Sequence, residues 1–222
     1  MKVVAAIDSF KGSLSSTEAG NAAAEGIRKA CGAQVTVKPI ADGGEGTTES
    51  LIEGMGGTYR EISVTGPDGK VVRARYGILR DGNSVVMDMP QAAATTLLDK
   101  DKLNPWDATS FGVGEMIRDA VSSGMRKFII GIGGSATTDG GAGMLQALGY
   151  QFRDAHGKEI APGIRELDEI AEIDASNVMP ELGLCSFQIA CDVKNALCGE
   201  SGAVFVFGPQ EGVKEEEKEI FD

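Results

Sequence analysis

A glycine-rich stretch, Gly131–Gly143, constrains the fold of this chain more than any other feature. An apolar run at Lys127–Ile132 predicts a buried strand that leads into it. A helical pattern at Met144–Leu148 follows it and ends at Gly149. A strand, a glycine loop and a helix in this order direct backbone N–H groups and a helix N-terminus toward an anion. The stretch therefore predicts a site for a phosphate group.

The side chains of this loop extend the prediction. Ser135, Thr137 and Thr138 supply hydroxyl groups that can donate hydrogen bonds to phosphate oxygens. Asp139 supplies a carboxylate, which would repel a phosphate unless a cation or a proton lies between the two. We therefore expect a site that holds a phosphate together with a divalent cation.

Length, charge and cysteine content exclude several classes of protein. The 222 residues predict one or two domains, and the net charge of −12 argues against a nucleic-acid surface. No apolar run reaches the roughly 18 residues of a membrane span, and the N-terminus lacks a signal-peptide pattern. The four cysteines form no CxxC pair, and the single His156 does not complete a usual zinc set. We expect buried free thiols and a cytoplasmic protein without a membrane partner.

The first 60 residues read as a β-α-β-α unit. Val3–Ile7 and Val35–Lys38 are predicted strands, and Ser15–Glu18 is a capping box at the start of the first helix. Thr47–Met55 is the second predicted helix. Strands that alternate with helices form parallel sheets, so we expect these two strands to be parallel neighbours.

Two loops follow these two strands. Asp8–Ser13 carries Lys11, and Pro39–Gly46 carries Asp42 and Glu45. Ligands of open parallel sheets bind at the carboxyl ends of the strands, so both loops are expected to face one ligand. For Asp8 alone a turn or capping role is an equal alternative. For Lys11 alone a solvated surface position is favoured over a functional one, and only the pairing of both loops at one edge favours function.

The pattern changes after residue 60. Arg60–Thr65, Val71–Leu79 and Ser84–Met89 are predicted strands that are joined by hairpin turns. An antiparallel meander after a parallel unit predicts a second domain that begins near this point. A later strand, Leu184–Cys191, places Asp192 at its end.

Four loops have two features in common, because each follows a predicted strand and each contains an aspartate. They are Asp8–Ser13, Pro39–Gly46, Gly131–Gly143 and the loop that carries Asp192. Phosphoryl transfer needs such parts, because carboxylates hold Mg²⁺, donors hold oxygens and a cation offsets developing charge. Gly131–Ala136 also fits the relaxed dinucleotide fingerprint G-x-G-x-x-A, but no acidic residue follows at the expected strand end. A Walker phosphate loop is absent from the sequence.

Taken together, the loops resemble the hallmark motifs of the class I glycerate kinase family. The motifs that carry the resemblance are Asp8–Ser13, Ala41–Thr47, Thr109–Glu115, Ile132–Met144, Ala190–Asn195 and Phe207–Gln210. They occur in the family's order over residues 1 to about 212. Gln91–Leu97 departs from the Ala-Ser-Gly-Leu segment that is common in the family, which puts a substrate contact there in doubt. Family members are also longer and carry further motifs toward their C-terminus.

The resemblance implies an α/β fold. It consists of a parallel Rossmann- or flavodoxin-like domain, incomplete here, with a second α/β domain inserted into it and the active site between the two. Residues 1–60 would be the first segment of the outer domain, and residues 61–222 would belong to the inserted one.

The resemblance also implies a kinase that transfers the γ-phosphoryl group of ATP, with Mg²⁺, to a hydroxyl of glycerate. The products would be phosphoglycerate and ADP, and the protein could assemble as a homodimer. By residue chemistry, Lys11, Asp42 and Asp192 are the candidate catalytic residues. Phosphate or glycerate would be held by Asp8, Ser9, Gly43, Gly44, Glu45, Gly133, Gly134, Ser135 and Thr137. Asp139 would hold the metal or the loop itself, and Asp192 is the other candidate metal ligand.

Two alternatives stay open at this point. The chain could be a truncated, catalytically incompetent fragment that binds a nucleotide or phosphate. It could also be a dinucleotide-dependent oxidoreductase, as the weak glycine fingerprint allows.

Overall fold

The computed structural model describes residues 1–10, 13–99 and 103–222 of the chain. Its strands are β1 (Lys2–Ala5), β2 (Gln34–Val37), β3 (Gly57–Thr65), β4 (Val71–Leu79), β5 (Ser84–Asp88), β6 (Lys127–Gly131), β7 (Gln151–Arg153), β8 (Glu172–Asp174) and β9 (Ser186–Ala190). Its α-helices are α1 (Ser16–Cys31), α2 (Thr47–Met55), α3 (Pro90–Ala93), α4 (Phe111–Ser122), α5 (Ala142–Ala147), α6 (Ala203–Glu211) and α7 (Lys218–Phe221).

The main sheet is mixed and has the strand order β3-β4-β5-β6-β9. The first three strands form the predicted antiparallel meander, whereas β5, β6 and β9 run parallel. In this parallel part Asp88 is opposite Gly131, and Gly131 is opposite Ala190. The last residues of three strands therefore lie side by side at one edge of the sheet.

Two smaller sheets accompany the main one. Strands β1 and β2 are parallel, as predicted, and β7 pairs antiparallel with β8. Helix α1 begins with the predicted capping box, in which the Ser15 hydroxyl accepts from the Glu18 N–H at 3.2 Å and the Glu18 carboxylate accepts from the Ser15 N–H at 2.8 Å. Gly32 ends this helix in the left-handed conformation. Ala24 of α1 packs on Ala5 and Val35 of this small sheet.

The principal core lies between the main sheet and helix α4. Met116 and Ile117 of α4 are buried against Tyr76, Met87 and Phe128 of the sheet. Burying side chains of this size stabilises a fold by about 1.5–3 kcal/mol each. This core fixes the position of β5 and β6, whose ends carry the loops of interest.

Some segments have structure that the sequence patterns left unassigned. The connection between β5 and α4 contains α3 and a 3-10 turn at Thr95–Leu97. The apolar Gly202–Gly208 stretch lies largely in helix α6. The charged C-terminal segment packs on Trp106, whose ring centroid is 4.4 Å from that of Phe221. Trp106 therefore has a packing role.

The architecture agrees with the α/β class. Within the described residues, no helix is both long and apolar enough to cross a membrane.

The four cysteines are free, as expected, but the expectation that they are buried is wrong, since Cys31, Cys191 and Cys198 are exposed. The residues on either side of these three are themselves exposed or only half-buried, so the segments lie at the surface.

Candidate active site

Three of the four predicted loops meet at Gly43. The carbonyl oxygen of Gly43 accepts a hydrogen bond from the Gly133 N–H at 3.1 Å, which joins the second loop to the glycine-rich loop. On its other side Gly43 is so close to Ala190 that a Cβ atom would overlap the Ala190 carbonyl group. Gly43 also has φ of +98°, a conformation that favours glycine. Only glycine fits this junction without strain.

The first loop lies beside the second. The Ile40 N–H donates to the Ile7 carbonyl at 3.5 Å, and the Ser16 hydroxyl donates to the Ile40 carbonyl at 2.9 Å. Asp8 accepts from the N–H of Ser9 at 2.6 Å, which is the turn role considered for it above. Lys11, the predicted catalytic cation, lies outside the described residues.

The second loop presents carboxylates on a buried backbone. Gly43 and Gly44 are buried, whereas Asp42 and Glu45 are exposed. Asp42 accepts from the Gly44 N–H at 2.9 Å through one oxygen, and among the described residues its other oxygen accepts no hydrogen bond. Asp192 is also exposed and follows β9 by two residues, next to the Ala190 carbonyl that Gly43 contacts. The structure thus brings the loops that carry Asp42 and Asp192 together.

The glycine-rich loop is anchored at its middle. The Ala136 N–H donates to Ala93 at 2.7 Å, and the Thr137 hydroxyl donates to the Ala108 carbonyl at 2.9 Å. Thr137 is buried and its hydroxyl oxygen also accepts from the Asp139 N–H at 3.1 Å. The predicted ligand-binding hydroxyl of Thr137 is therefore already used to hold the loop.

Other donors of this loop have no partner among the residues that the structure describes. Within the described part of the chain, the N–H groups of Gly134, Ser135 and Thr138 donate to no acceptor. The Thr138 hydroxyl oxygen is buried and likewise has no hydrogen-bond partner there. A buried polar atom without a partner is costly, so the Thr138 hydroxyl in particular is suited to bind an external group.

Asp139 is buried and acts on the loop itself. One of its oxygens accepts from the Ser110 N–H at 2.8 Å and the Ser110 hydroxyl at 2.9 Å. The same oxygen accepts from Gly143 at 3.2 Å, and the other accepts from Gly141 at 3.0 Å. Of the two roles predicted for Asp139, these contacts match the loop role. In the described ranges no group of three or more His, Cys, Asp or Glu side chains is arranged to hold a metal ion.

Two buried carboxyl groups at the site escaped the sequence reading. Asp88 ends β5 and accepts backbone N–H groups from the start of α2, and burial raises its pKa to about 6. Glu211 ends α6 and accepts from the Ser135 hydroxyl at 3.3 Å, and burial raises its pKa to about 7. Asp88 could have been found, because it follows a strand as the other loop aspartates do. Glu211 has no such signal in the sequence.

Fold and site together define a class of protein. Glycine-rich backbone, free N–H donors and exposed carboxylates meet at the carboxyl ends of parallel strands, where α/β proteins bind small phosphorylated ligands. A sequence model of the glycerate kinase family matches residues 3–222, and the chain belongs to this family.

Curated relatives and a solved structure agree with this membership. The chain is 45% identical to a glycerate kinase of Bacillus subtilis (strain 168) over 223 residues, which is 100% of the chain and 58% of the relative. It is 46% identical to a glycerate 2-kinase of Escherichia coli (strain K12), over 97% of the chain and 57% of the relative. A crystal structure from Salmonella typhimurium LT2, described as a glycerate kinase 2, superposes with a TM-score of 0.87 at 45% identity and covers 100% of this chain and 60% of that one. The chain thus spans less than two thirds of the length of these relatives.

Proposed function

We propose that this chain takes part in the phosphorylation of glycerate by ATP. The γ-phosphoryl group moves to a glycerate hydroxyl oxygen, its bond to the β-phosphate oxygen of ADP breaks, and the hydroxyl proton passes to a carboxylate. The observation that carries the proposal is the meeting of three loops at Gly43, with exposed carboxylates beside free N–H donors. The names of the Bacillus and Escherichia relatives, glycerate kinase and glycerate 2-kinase, support the same reaction.

The glycine-rich loop would hold the transferred group. Its free N–H donors at Gly134, Ser135 and Thr138 and the unpartnered Thr138 hydroxyl are suited to phosphate or carboxylate oxygens. Such preorganised donors stabilise charge that develops in a transition state. Lys11 remains the proposed cation that offsets this charge.

The exposed carboxylates would divide the remaining work. Asp42 and Asp192 are the candidates for the base that receives the hydroxyl proton and for ligands of Mg²⁺. Bound Mg²⁺ would neutralise phosphate charge. Asp42 fits either role, because one of its oxygens accepts no hydrogen bond within the described residues. Asp139 fits the metal role poorly, since both of its oxygens accept hydrogen bonds from the protein.

We also propose a domain division, a cellular compartment and an oligomeric state for this chain. Residues 1–60 and 61–222 would belong to an outer Rossmann-like domain and an inserted domain, because the small parallel sheet β1–β2 is separate from the main sheet. Four free cysteines fit a reducing cytoplasm. A homodimer is proposed as well, since β9 leaves one edge of the main sheet unpaired among the described strands.

A coupled assay of ADP formation with glycerate and Mg·ATP tests the proposed reaction on the full chain. We expect Asp192→Asn and Asp42→Asn each to lower kcat by about 10²-fold or more, because general-base catalysis contributes 10²–10⁴-fold. Asp154→Asn is the matched control, since Asp154 is an aspartate in an exposed turn that accepts from the N–H groups of His156 and Lys158. Equal turnover in all three variants would contradict the assignment.

The two alternatives give different results in simple titrations. An incompetent fragment would bind Mg·ATP or phosphate without forming ADP. An oxidoreductase would change NADH fluorescence on binding, and we expect no change. The family match and the curated relatives give no support to either alternative.

A further inference from the structure

The carboxylate of Asp88 connects the main sheet to the second loop. Asp88 ends β5, and only 1% of its surface is exposed. Its oxygens accept from the Thr48 N–H at 3.1 and 3.2 Å and from the Gly46 N–H at 3.3 Å. Both N–H groups belong to the start of helix α2, and they lie 42 and 40 residues before Asp88 in the chain.

Helix α2 has no cap of its own. Its N-cap residue is Gly46, which carries no side chain and has φ of +94°. The first N–H groups of a helix need acceptors, and the positive end of the helix dipole favours a negative charge there. Asp88 supplies both from a different element, so it replaces the missing local cap.

The strand that carries Asp88 is also tied to the glycine-rich loop. Asp88 is opposite Gly131 in the parallel sheet, and the next residue, Met89, donates its N–H to the Gly131 carbonyl at 2.8 Å. The segment between Asp42 and Gly46 is thus held at two points. Gly43 fixes it to the glycine-rich loop, and Asp88 fixes its far end at the start of α2.

We propose that Asp88 is a positioning residue that caps α2 from strand β5 and thereby sets the loop of Asp42 against the glycine-rich loop. It does not contact a ligand directly, because it is buried beneath the loops. The effect on turnover rests on the proposed function, whereas the effect on loop order does not.

The charges around Asp88 make this contact sensitive to pH. Burial, with a smaller contribution from the carboxylate of Glu49 on α2, raises its pKa to about 6, although the hydrogen bonds from Thr48 and Gly46 act in the opposite direction. Glu49 is itself paired with Arg75 of β4, and α3 carries no charged residue. In the second loop, Asp42 and Glu45 are exposed to solvent. Because the pKa of Asp88 is higher in the closed structure than after opening of α2, the closed arrangement loses stability as pH rises through about 6.

The test compares Asp88→Asn with Asp81→Asn. Asp81 is the matched control, because it precedes the same strand at its other end and also accepts two backbone N–H groups and a hydroxyl, from Asn83 and Ser84. Amide hydrogen exchange is measured at Gly46 and Thr48, and kcat and KM are measured for ADP formation. We expect Asp88→Asn to lower protection at Gly46 and Thr48 at least tenfold and kcat about tenfold, with KM for ATP changed less. Asp81→Asn should leave both unchanged.

The wild-type chain provides a second measurement that needs no variant. Its protection at Thr48 should fall as pH rises through about 6, because ionisation of the buried Asp88 disfavours the closed structure, whereas protection at Ser84 should not, since hydrogen bonds lower the pKa of Asp81 to about 2. Unchanged protection at Thr48 both in Asp88→Asn and across this pH range would overturn the proposal. A wild-type chain without kinase activity would refute the proposed function, and the exchange data would still decide the role of Asp88.

Discussion

The two buried carboxyl groups that contact the glycine-rich loop have unlike surroundings. Asp139 accepts hydrogen bonds from three backbone N–H groups and two hydroxyls, which offset the cost of burying it. Glu211 accepts from one hydroxyl, that of Ser135, and burial raises its pKa from the ordinary 4.5 to about 7. Glu211 has fewer hydrogen-bond donors around it than Asp139, which explains why burial dominates the shift in the pKa of Glu211.

Glu211 predicts a pH dependence of stability. Its folded pKa lies above its unfolded value, so the unfolded chain loses the proton first as pH rises. The free energy of unfolding should therefore fall between about pH 4.5 and 7, by at most about 1.4 kcal/mol per pH unit from this group. Glu211→Gln should be more stable than wild type at pH 8 and equal to it at pH 4.5. Urea unfolding at both pH values measures this, with the exposed Glu200→Gln as control. Wild-type stability equal to that of Glu211→Gln at pH 8 would refute the argument.

Helices α1 and α2 differ in where the residue that caps their N-terminus lies in the sequence. Helix α1 begins at a capping box within its own sequence, so its start could be read from Ser15 and Glu18. Helix α2 begins at a glycine and depends on Asp88 of a distant strand. Its boundaries, Thr47 and Met55, were predicted correctly from the sequence, whereas its cap could not be, because the acceptor is distant in sequence.

The junction at Gly43 predicts the effect of a single methyl group. Gly43→Ala would place a Cβ against the Ala190 carbonyl and strain a backbone with φ of +98°. We expect kcat/KM for glycerate phosphorylation to fall by roughly 10²-fold, since displacement of an active-site loop by about 1 Å has effects of this size. Gly157→Ala is the control, because Gly157 has φ of +79° and no atom near its Cβ position. If the two variants retain equal activity in the ADP assay, Gly43 does not organise the site.

At the scale of the whole molecule, strand β9 is an apolar edge. Phe187 and Ile189 are 43% and 55% exposed, although they lie in a parallel part of the main sheet. Strands of this kind are usually covered on both faces, and an uncovered edge promotes pairing with other chains.

This edge predicts self-association of the chain. Ile189→Lys should lower the apparent mass at high protein concentration, because a charge on an edge strand opposes pairing. Analytical ultracentrifugation measures this, and circular dichroism checks that the variant is folded. Val71→Lys is the control, since Val71 is 77% exposed and lies at the start of β4. A wild-type chain that stays monomeric at all concentrations would contradict the prediction.

By itself, the sequence determined the α/β class, most element boundaries and the four loops. These properties depend on local periodicity, glycine punctuation and turn chemistry, which are encoded within a few residues. The family resemblance, later matched over residues 3–222, came from the same local motifs. The positions of Lys11 and the division into domains remain predictions.

Only the tertiary structure decided how the loop residues are used. Thr137 and Asp139 carry the expected polar groups, but Ala108 and Ser110 already pair with them. Asp88 and Glu211 gain their importance from burial beside segments that lie 40 and 76 residues away. The reason is physical, because burial and hydrogen-bond partners arise from packing between segments that are distant in the sequence. The amino-acid sequence therefore specifies the donors and acceptors, whereas the tertiary structure determines which of them pair.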